Sequence, residues 1–454
     1  MIKTDVLILG GGLAGLSTAY HLNERTRLSS LVVEKAGSVG GTAGTVRTGG
    51  FLFDHTGHLL HLHDAYGKRL VLDLLRGNLA THQRSSWIHL DGRYARYPFQ
   101  ANTYGLKPAV VADCLAGFLN TVHWPAAAPL GPNPSFRDWS LRHFGPGISR
   151  HFMFPYNQKL WQTPLARMTT QWQGRFVPKP AASEVLYGAL MDQKKFFGYN
   201  ASFRYPIRGG IQALPDALAA RLKPGQVSLG SAVSSVDLEA KVAVVEGLGE
   251  VAFERLVNTL PLVDFIDLAG PWPKDVLAAR RRLRYNTVYN LNLGVARSNM
   301  SDKHWVYFPE AKYPFYRVGY SSNFAKTLAP KGASSLYIEV TRRGGQAVDL
   351  VPLENQVLRG LRQAGVLKAS DRLLAKVWMP IRCGYVVYDF NRTPAVDRIF
   401  KDLSSRGVES IGRYGGWKYS FMEETLLDGK RCAERLAGVV SEANESQKEL
   451  TPLK

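Results

Sequence analysis

"DVLILGGGLAGLSTAYHL" (5–22) decides the fold. It reads as a hydrophobic strand, a glycine turn spaced Gly10-x-Gly12-x-x-Gly15, and a helix with apolar periodicity. "SLVVEK" (30–35) follows as a second buried strand ending in Glu34, 24 residues after Gly10. In such a unit the first glycine permits the tight turn, the second lets a pyrophosphate reach backbone N–H groups, and the third lets helix pack on strand. The acid that closes the second strand accepts hydrogen bonds from a ribose hydroxyl. Strands, triplet and acid stand in register, which defines a dinucleotide site contacted by Gly10, Gly12, Leu13, Ala14, Gly15 and Glu34.

Which dinucleotide follows from the next residues. "KAGSVGGTAGTV" (35–46) is a second glycine-rich segment, carrying Lys35, Gly41 and Thr42 along a pyrophosphate. A plain nicotinamide dehydrogenase would continue into another strand–helix repeat, and this chain does not, so FAD is the expected cofactor. Near the other end, "SIGRYGGWKYSFMEETLLDG" (410–429) repeats strand, glycine turn and helix. A late turn of this kind closes over a flavin, its N–H groups and helix dipole facing the pyrophosphate or the polar ring edge.

The fold class expected is therefore α/β: a discontinuous Rossmann-type FAD-binding domain with a helical domain and an antiparallel-sheet substrate domain. The FAD-binding segments are 1–75, 205–265 and 385–440. Residues 76–204, aromatic-rich and proline-rich, form the helical substrate domain, and 266–384, with the alternation of "RYNTVYNLNLGVA" (284–296), form the sheet. The polar tail 441–454 is expected to be disordered.

Composition narrows the class. An apolar fraction of 45% with 21% charged residues describes a soluble globular chain, and no apolar run is long enough to span a bilayer. "MIKTD" (1–5) runs straight into the first strand, so no signal peptide is expected. Three scattered cysteines, Cys114, Cys383 and Cys432, form neither a disulfide framework nor a metal spacing, which suits a cytoplasmic, reduced protein. The formal charge of +20 suggests an anionic small substrate, with a peripheral contact to a membrane or to glycosyltransferases left open. No nucleic-acid motif is present, and "AARRRLRYN" (278–286) reads as an exposed helix face.

Five further stretches carry a family resemblance: "RYPFQANTYGL" (96–106), "FPYNQKLWQTPLARMTTQWQGRFVP" (154–178), "ASFRYPIRGG" (201–210), "HWVYFPEAKYPFYRVGYSSNFA" (304–325) and "GRYGGWKYSFM" (412–422). Over most of residues 1–440 the chain resembles the UDP-galactopyranose mutases, flavoproteins of the amine-oxidase and protoporphyrinogen-oxidase superfamily. The resemblance implies a redox-neutral ring contraction of a UDP-hexopyranose to its furanose through an adduct on the N5 of reduced FAD, with NAD(P)H as the candidate external reductant. It implies a role in polysaccharide biosynthesis and leaves the oligomeric state open.

The resemblance also assigns residues. Arg204 and Arg317 would clamp the leaving diphosphate, each with about 4 kcal/mol of gross attraction at ~4 Å and an effective dielectric near 20. Tyr97, Gln100, Phe154, Asn157 and Trp161 fall in the uridine-binding segments, and Tyr316, Tyr385 and Tyr419 would offer hydroxyls beside the flavin. Gly57 and His58, in "FDHTGHLLHLHD" (53–64), would lie against the isoalloxazine. Arg413, Ser420, Phe421 and Met422 belong to the late flavin contact. The four histidines of that loop are read as strand edge and turn, and no metal site is expected.

Two departures bear on the sugar. Tyr419 and Ser420 are adjacent where the familiar eukaryotic mutases carry an insertion, and "GGTAGT" (40–45) matches broader oxidoreductase relatives. The alternative is an FAD-dependent oxidase or desaturase of the amine-oxidase or protoporphyrinogen-oxidase type, needing an apolar tunnel and no diphosphate clamp.

Overall fold

The computed structural model describes residues 1–123, 130–195, 197–198 and 200–438, so the tail 441–454 lies outside the described residues. The opening strand, Ile2–Leu9, sits at the centre of the larger sheet between the parallel strands Ser30–Glu34 and Gly249–Asn258. Its residues 6–9 are fully buried, as a strand covered on both faces requires. Val227–Leu229 extends the sheet beyond Ser30–Glu34. On the other side come Val242–Val245, Val233–Asp237 and Ala269–Gly270, and Val408–Ser410 adds in parallel to the end of Gly249–Asn258. The helix Leu13–Arg25 leaves the first strand and lies against the late helix Met422–Leu436, the Ser17 hydroxyl donating to the Leu426 carbonyl at 2.6 Å.

The second sheet runs Leu373–Val386, Tyr285–Val295, Ser334–Arg343, Arg317–Tyr320, Trp305–Tyr307, Ser86–Leu90, Arg93–Arg96. Only the Trp305–Tyr307 and Ser86–Leu90 pair is parallel. The period of two explains its two faces. Leu291, Leu293, Leu336, Ile338 and Val340 point to one side and form a core with the helix Leu350–Gln363. Asn290, Asn292, Tyr337 and Glu339 alternate with them and point to the other side, where they are buried polar residues facing the first sheet's half of the molecule.

The hairpin Ser86–Arg96 falls inside 76–204, the segment read as a helical, aromatic-rich substrate domain. Its signal is "DG": Asp91 and Gly92 both hold positive φ, 52° and 76°, the geometry of a two-residue hairpin turn. Helices do dominate the rest of that segment: Pro108–His123, Phe136–Ile148, Phe154–Trp161 and Ala182–Leu190. The basic run at 278–286 begins on the helix Lys274–Arg282, with Arg281 and Arg282 exposed. No helix among the described residues is long and apolar enough to cross a membrane.

Candidate active site

A cavity of about 930 Å³ opens between the two sheets. One end is the glycine loop. Gly10 adopts φ +103° to make the turn, and a Cβ at Gly15 would lie 2.1 Å from the Gly10 carbonyl oxygen, so the third glycine serves close packing and does not face the cavity. Gly12 is different. A Cβ there would meet only the Gly40 carbonyl oxygen, at 4.0 Å, and otherwise project into the cavity. Gly12 also caps the helix Leu13–Arg25, whose first turn carries no acid, leaving its N–H groups and positive dipole end for an anion. Glu34 accepts from the Gly11 and Ala36 N–H groups at 2.7 and 2.9 Å and retains lone pairs toward the cavity it lines.

Lys35, Gly41 and Thr42 continue this wall, with the Gly40 N–H bound to the Gly11 carbonyl at 2.8 Å. The late turn supplies the opposite wall: Gly412, Arg413, Ser420, Phe421 and Met422 line the same cavity. The Arg413 guanidinium donates to the Gly384 carbonyl at 2.8 Å and to the Ser420 carbonyl, and it lies 5.3 and 5.1 Å from the ring centres of Tyr385 and Tyr419. These residues fit a bound FAD. The glycine loop offers backbone N–H groups and an open approach for a pyrophosphate, Glu34 would accept from a ribose hydroxyl, and Gly57 and His58 line the same cavity.

The far end belongs to the second sheet. Arg317 and Glu339 stand directly opposite each other on antiparallel strands, so their side chains share a face. Glu339 is fully buried and accepts from Arg317 Nε and Nη2 at 2.9 and 2.5 Å. That bidentate grip leaves Nη1 for a ligand. Tyr307, Tyr316, Tyr337, Tyr385 and Tyr156 surround the pair as cavity lining. The buried Tyr316 hydroxyl makes no well-formed hydrogen bond, although it lies close enough to influence the Tyr385 hydroxyl. Lys159 fastens this wall to the helix Phe154–Trp161, its ammonium donating to the carbonyls of Phe308, Glu310 and Phe315 at 2.7, 3.0 and 2.5 Å.

Of the residues assigned from sequence, the cavity brings together Gly10, Gly12, Leu13, Ala14, Glu34, Lys35, Gly41, Thr42, Gly57, His58, Tyr97, Gln100, Asn157, Tyr316, Arg317, Tyr385, Arg413, Tyr419, Ser420, Phe421 and Met422. It does not bring Arg204. On the strand Ser202–Pro206, Phe203 and Tyr205 enter the core while Arg204 alternates away, and the residue does not line the cavity. Phe154 is also off the lining. Helical spacing puts Phe152, Tyr156 and Leu160 on the cavity face instead, with Phe152 stacked on Tyr156 at 5.1 Å. Trp161 is buried behind the site, its indole N–H 3.3 Å from Asn157 Oδ1 and its ring 5.6 Å from Tyr385, so it supports the wall. Glu339 escaped the sequence reading because an acid within "SLYIEVTR" (335–342) carries no motif, and only the strand register puts it opposite Arg317.

The cavity carries a small positive excess: Arg413 and Lys35 face it against Glu34, while Arg317 and Arg382 are paired with Glu339 and Asp264, which suits ligands bearing diphosphates. Burial holds the histidines neutral: His58 is pulled down to about 3 by burial, with His55 and Arg413 adding to the shift. His21, His61 and His304 are pulled down to about 4, again chiefly by burial. In the unfolded chain these groups take a proton near 6.5, so falling pH favours unfolding between about 6.5 and 4. Asp54, pushed up to about 6 by burial, works in the opposite sense, as does Asp389, while burial also lowers His55, His82 and His143. The melting temperature is expected to drop over that window, and a His58→Gln variant should drop less; an equal drop in the variant would contradict the assignment. Among the described residues no group of three His, Cys, Asp or Glu side chains could hold a metal ion.

The arrangement is that of a two-sheet α/β flavoprotein in which a dinucleotide cradle and a tyrosine–arginine chamber share one cavity. The chain belongs to the family of flavin-containing amine oxidoreductases, whose model matches residues 13–437. It is a flavin-dependent enzyme of the amine-oxidase superfamily. It is similar to reduced UDP-galactopyranose mutase, with a TM-score of 0.90 and 26% identity over 98% of each chain. A redesigned putrescine oxidase shares the fold at a TM-score of 0.67 and 16% identity, over 96% of this chain and 99% of that one.

Proposed function

We propose that the protein is an FAD-dependent sugar-nucleotide mutase, converting a UDP-hexopyranose, UDP-galactopyranose or a close relative, to its furanose form. The observation that carries this reading is the Arg317–Glu339 pair inside a ring of tyrosines, in a cavity continuous with the dinucleotide cradle. The similarity to reduced UDP-galactopyranose mutase over nearly the whole chain supports it. When bound and reduced, FAD supplies the nucleophile for the anomeric carbon, and NAD(P)H is the proposed source of its electrons.

The chain's own groups then have definite tasks. Arg317 Nη1 binds a diphosphate oxygen as the bond to the sugar breaks, and it holds the released diphosphate for the return step. Tyr316 and Tyr385, whose hydroxyl pKa values burial raises, remain neutral and donate hydrogen bonds to oxygens of the sugar or diphosphate. Tyr97, Gln100 and Asn157, which line the same cavity, take the uridine. With Arg204 outside the lining, Arg317 is the guanidinium to which the clamp is assigned.

Anaerobically reduced protein is expected to isomerise UDP-galactopyranose, or another member of a UDP-hexose panel, to a product resolved by chromatography. No new isomer across the panel would sink the reading. A second reading, an oxidase, draws on the apolar part of the lining, Phe152, Met153, Leu160 and Trp172. Peroxide release that persists in Arg317→Ala would favour it.

A further inference from the structure

The helix Ala182–Leu190 is apolar on two opposite sides. Val185, Gly188 and Ala189 are buried against the neighbouring helices. Leu186 and Tyr187 face outward, and Leu190 and Met191 follow them at four-residue spacing, with exposures of 37%, 50%, 70% and 53%. Tyr104 stands beside them, 50% exposed, its backbone N–H bound to the Gly188 carbonyl. Single exposed apolar residues are ordinary, but four on one side of this helix and its C-terminal end, with Tyr104 nearby, mark an interaction surface.

The rim identifies that partner. Each nearby carboxylate is already paired: Glu184 with Lys195, Asp192 with Arg96, and Asp91 with Lys107. Lys194 and Arg93, both exposed, make no close ion pair among the described residues, Lys194 only adding to the field at Asp192, and Arg93 reaches toward the patch by donating to the Gly105 carbonyl. An apolar and tyrosine face with unpaired cations at its edge matches the surface of a bilayer rich in anionic lipid, where the aromatic and aliphatic groups enter the headgroup region and the lysine stem reaches the phosphates. A second copy is disfavoured by charge, since it would bring the same rim, on a chain of net charge +20, against itself.

We propose that the outer face of Ala182–Leu190, with Tyr104 and Met191, docks the protein on an anionic membrane surface without crossing it. The flavin-loaded full chain should co-sediment with vesicles of phosphatidylcholine containing phosphatidylglycerol, less with phosphatidylcholine alone, and should be released by salt. The double variant Leu190→Ser, Met191→Ser should lose at least about tenfold in vesicle affinity. It should keep its flavin content and melting temperature, because both side chains are exposed. Lys194→Glu should weaken binding and flatten the salt dependence. Absence of binding to the anionic vesicles, or equal binding by the double variant, overturns the proposal. So does a wild-type dimer that the double variant turns into a monomer, which would assign the face to a second copy of the chain.

Discussion

Gly12→Val should yield a folded protein that purifies without its yellow cofactor. The argument is geometric. A Cβ at Gly12 would meet only the Gly40 carbonyl oxygen, at 4.0 Å, and Gly12 lines the cavity, so the polypeptide leaves room for the first atom of a side chain there. It would, however, occupy the approach to the first N–H groups of the helix Leu13–Arg25, where a pyrophosphate must come within hydrogen-bond reach. Gly15→Val is the contrasting variant: its Cβ would lie 2.1 Å from the Gly10 carbonyl oxygen, so the turn itself must break. Absorbance near the flavin bands per polypeptide, with circular dichroism, separates the two outcomes. The folded apo variant should melt lower than wild type by the stabilisation a tight ligand gives, about 4 kcal/mol at a thousandfold excess over Kd. Wild-type flavin content in Gly12→Val would show that the cofactor does not use this loop.

Arg317→Ala should remove activity and stability together, and the two losses can be parted. Glu339 is fully buried and hydrogen-bonds Arg317 through both oxygens, so truncating the arginine strands a carboxylate at a cost of about 3–5 kcal/mol. The double variant Arg317→Met, Glu339→Gln removes both charges and should recover most of the melting temperature. It should not recover turnover. Loss of the guanidinium proposed to bind the diphosphate is expected to cost about 10²–10³ in kcat, the size seen when one preorganised donor is removed from a site of developing charge. Arg317→Lys keeps the charge but lacks the planar fork, and should fall between the two. If the double variant turns over normally, the clamp role of Arg317 is wrong.

Much of this molecule was readable from its residues. The nucleotide half announces itself because strand, glycine triplet and terminal acid must follow one another at short range, and the late turn at 410–429 repeats the same local grammar. The second sheet was legible as a sheet, since "RYNTVYNLNLGVA" alternates polar with apolar. What local pattern could not supply was register. Arg204 and Arg317 sit in similar aromatic surroundings in the sequence, yet one alternates away from the cavity and the other faces it. Glu339 becomes meaningful only through its cross-strand neighbour. Phe154 and Phe152 are two residues apart, and the face each takes depends on the phase of a helix entered through the π-helical turn Ser149–Met153. The hairpin at Ser86–Arg96 did have a local cue in Asp91–Gly92, which the aromatic and proline content around it obscured.

The order of strands has a kinetic corollary. Ile2–Leu9 is translated more than two hundred residues before its parallel neighbour Gly249–Asn258, and the helix Met422–Leu436 that lies on Leu13–Arg25 comes later still. Closing contacts of such sequence separation is slow. A nascent chain therefore holds half a cradle until the late turn and the helix Met422–Leu436 have been made, and prosthetic-group uptake must wait for them. Chains stalled before residue 408 should emerge as apoprotein with the end of Gly249–Asn258, Leu256 to Asn258, unpaired on one side, a short exposed edge of the kind chaperones capture.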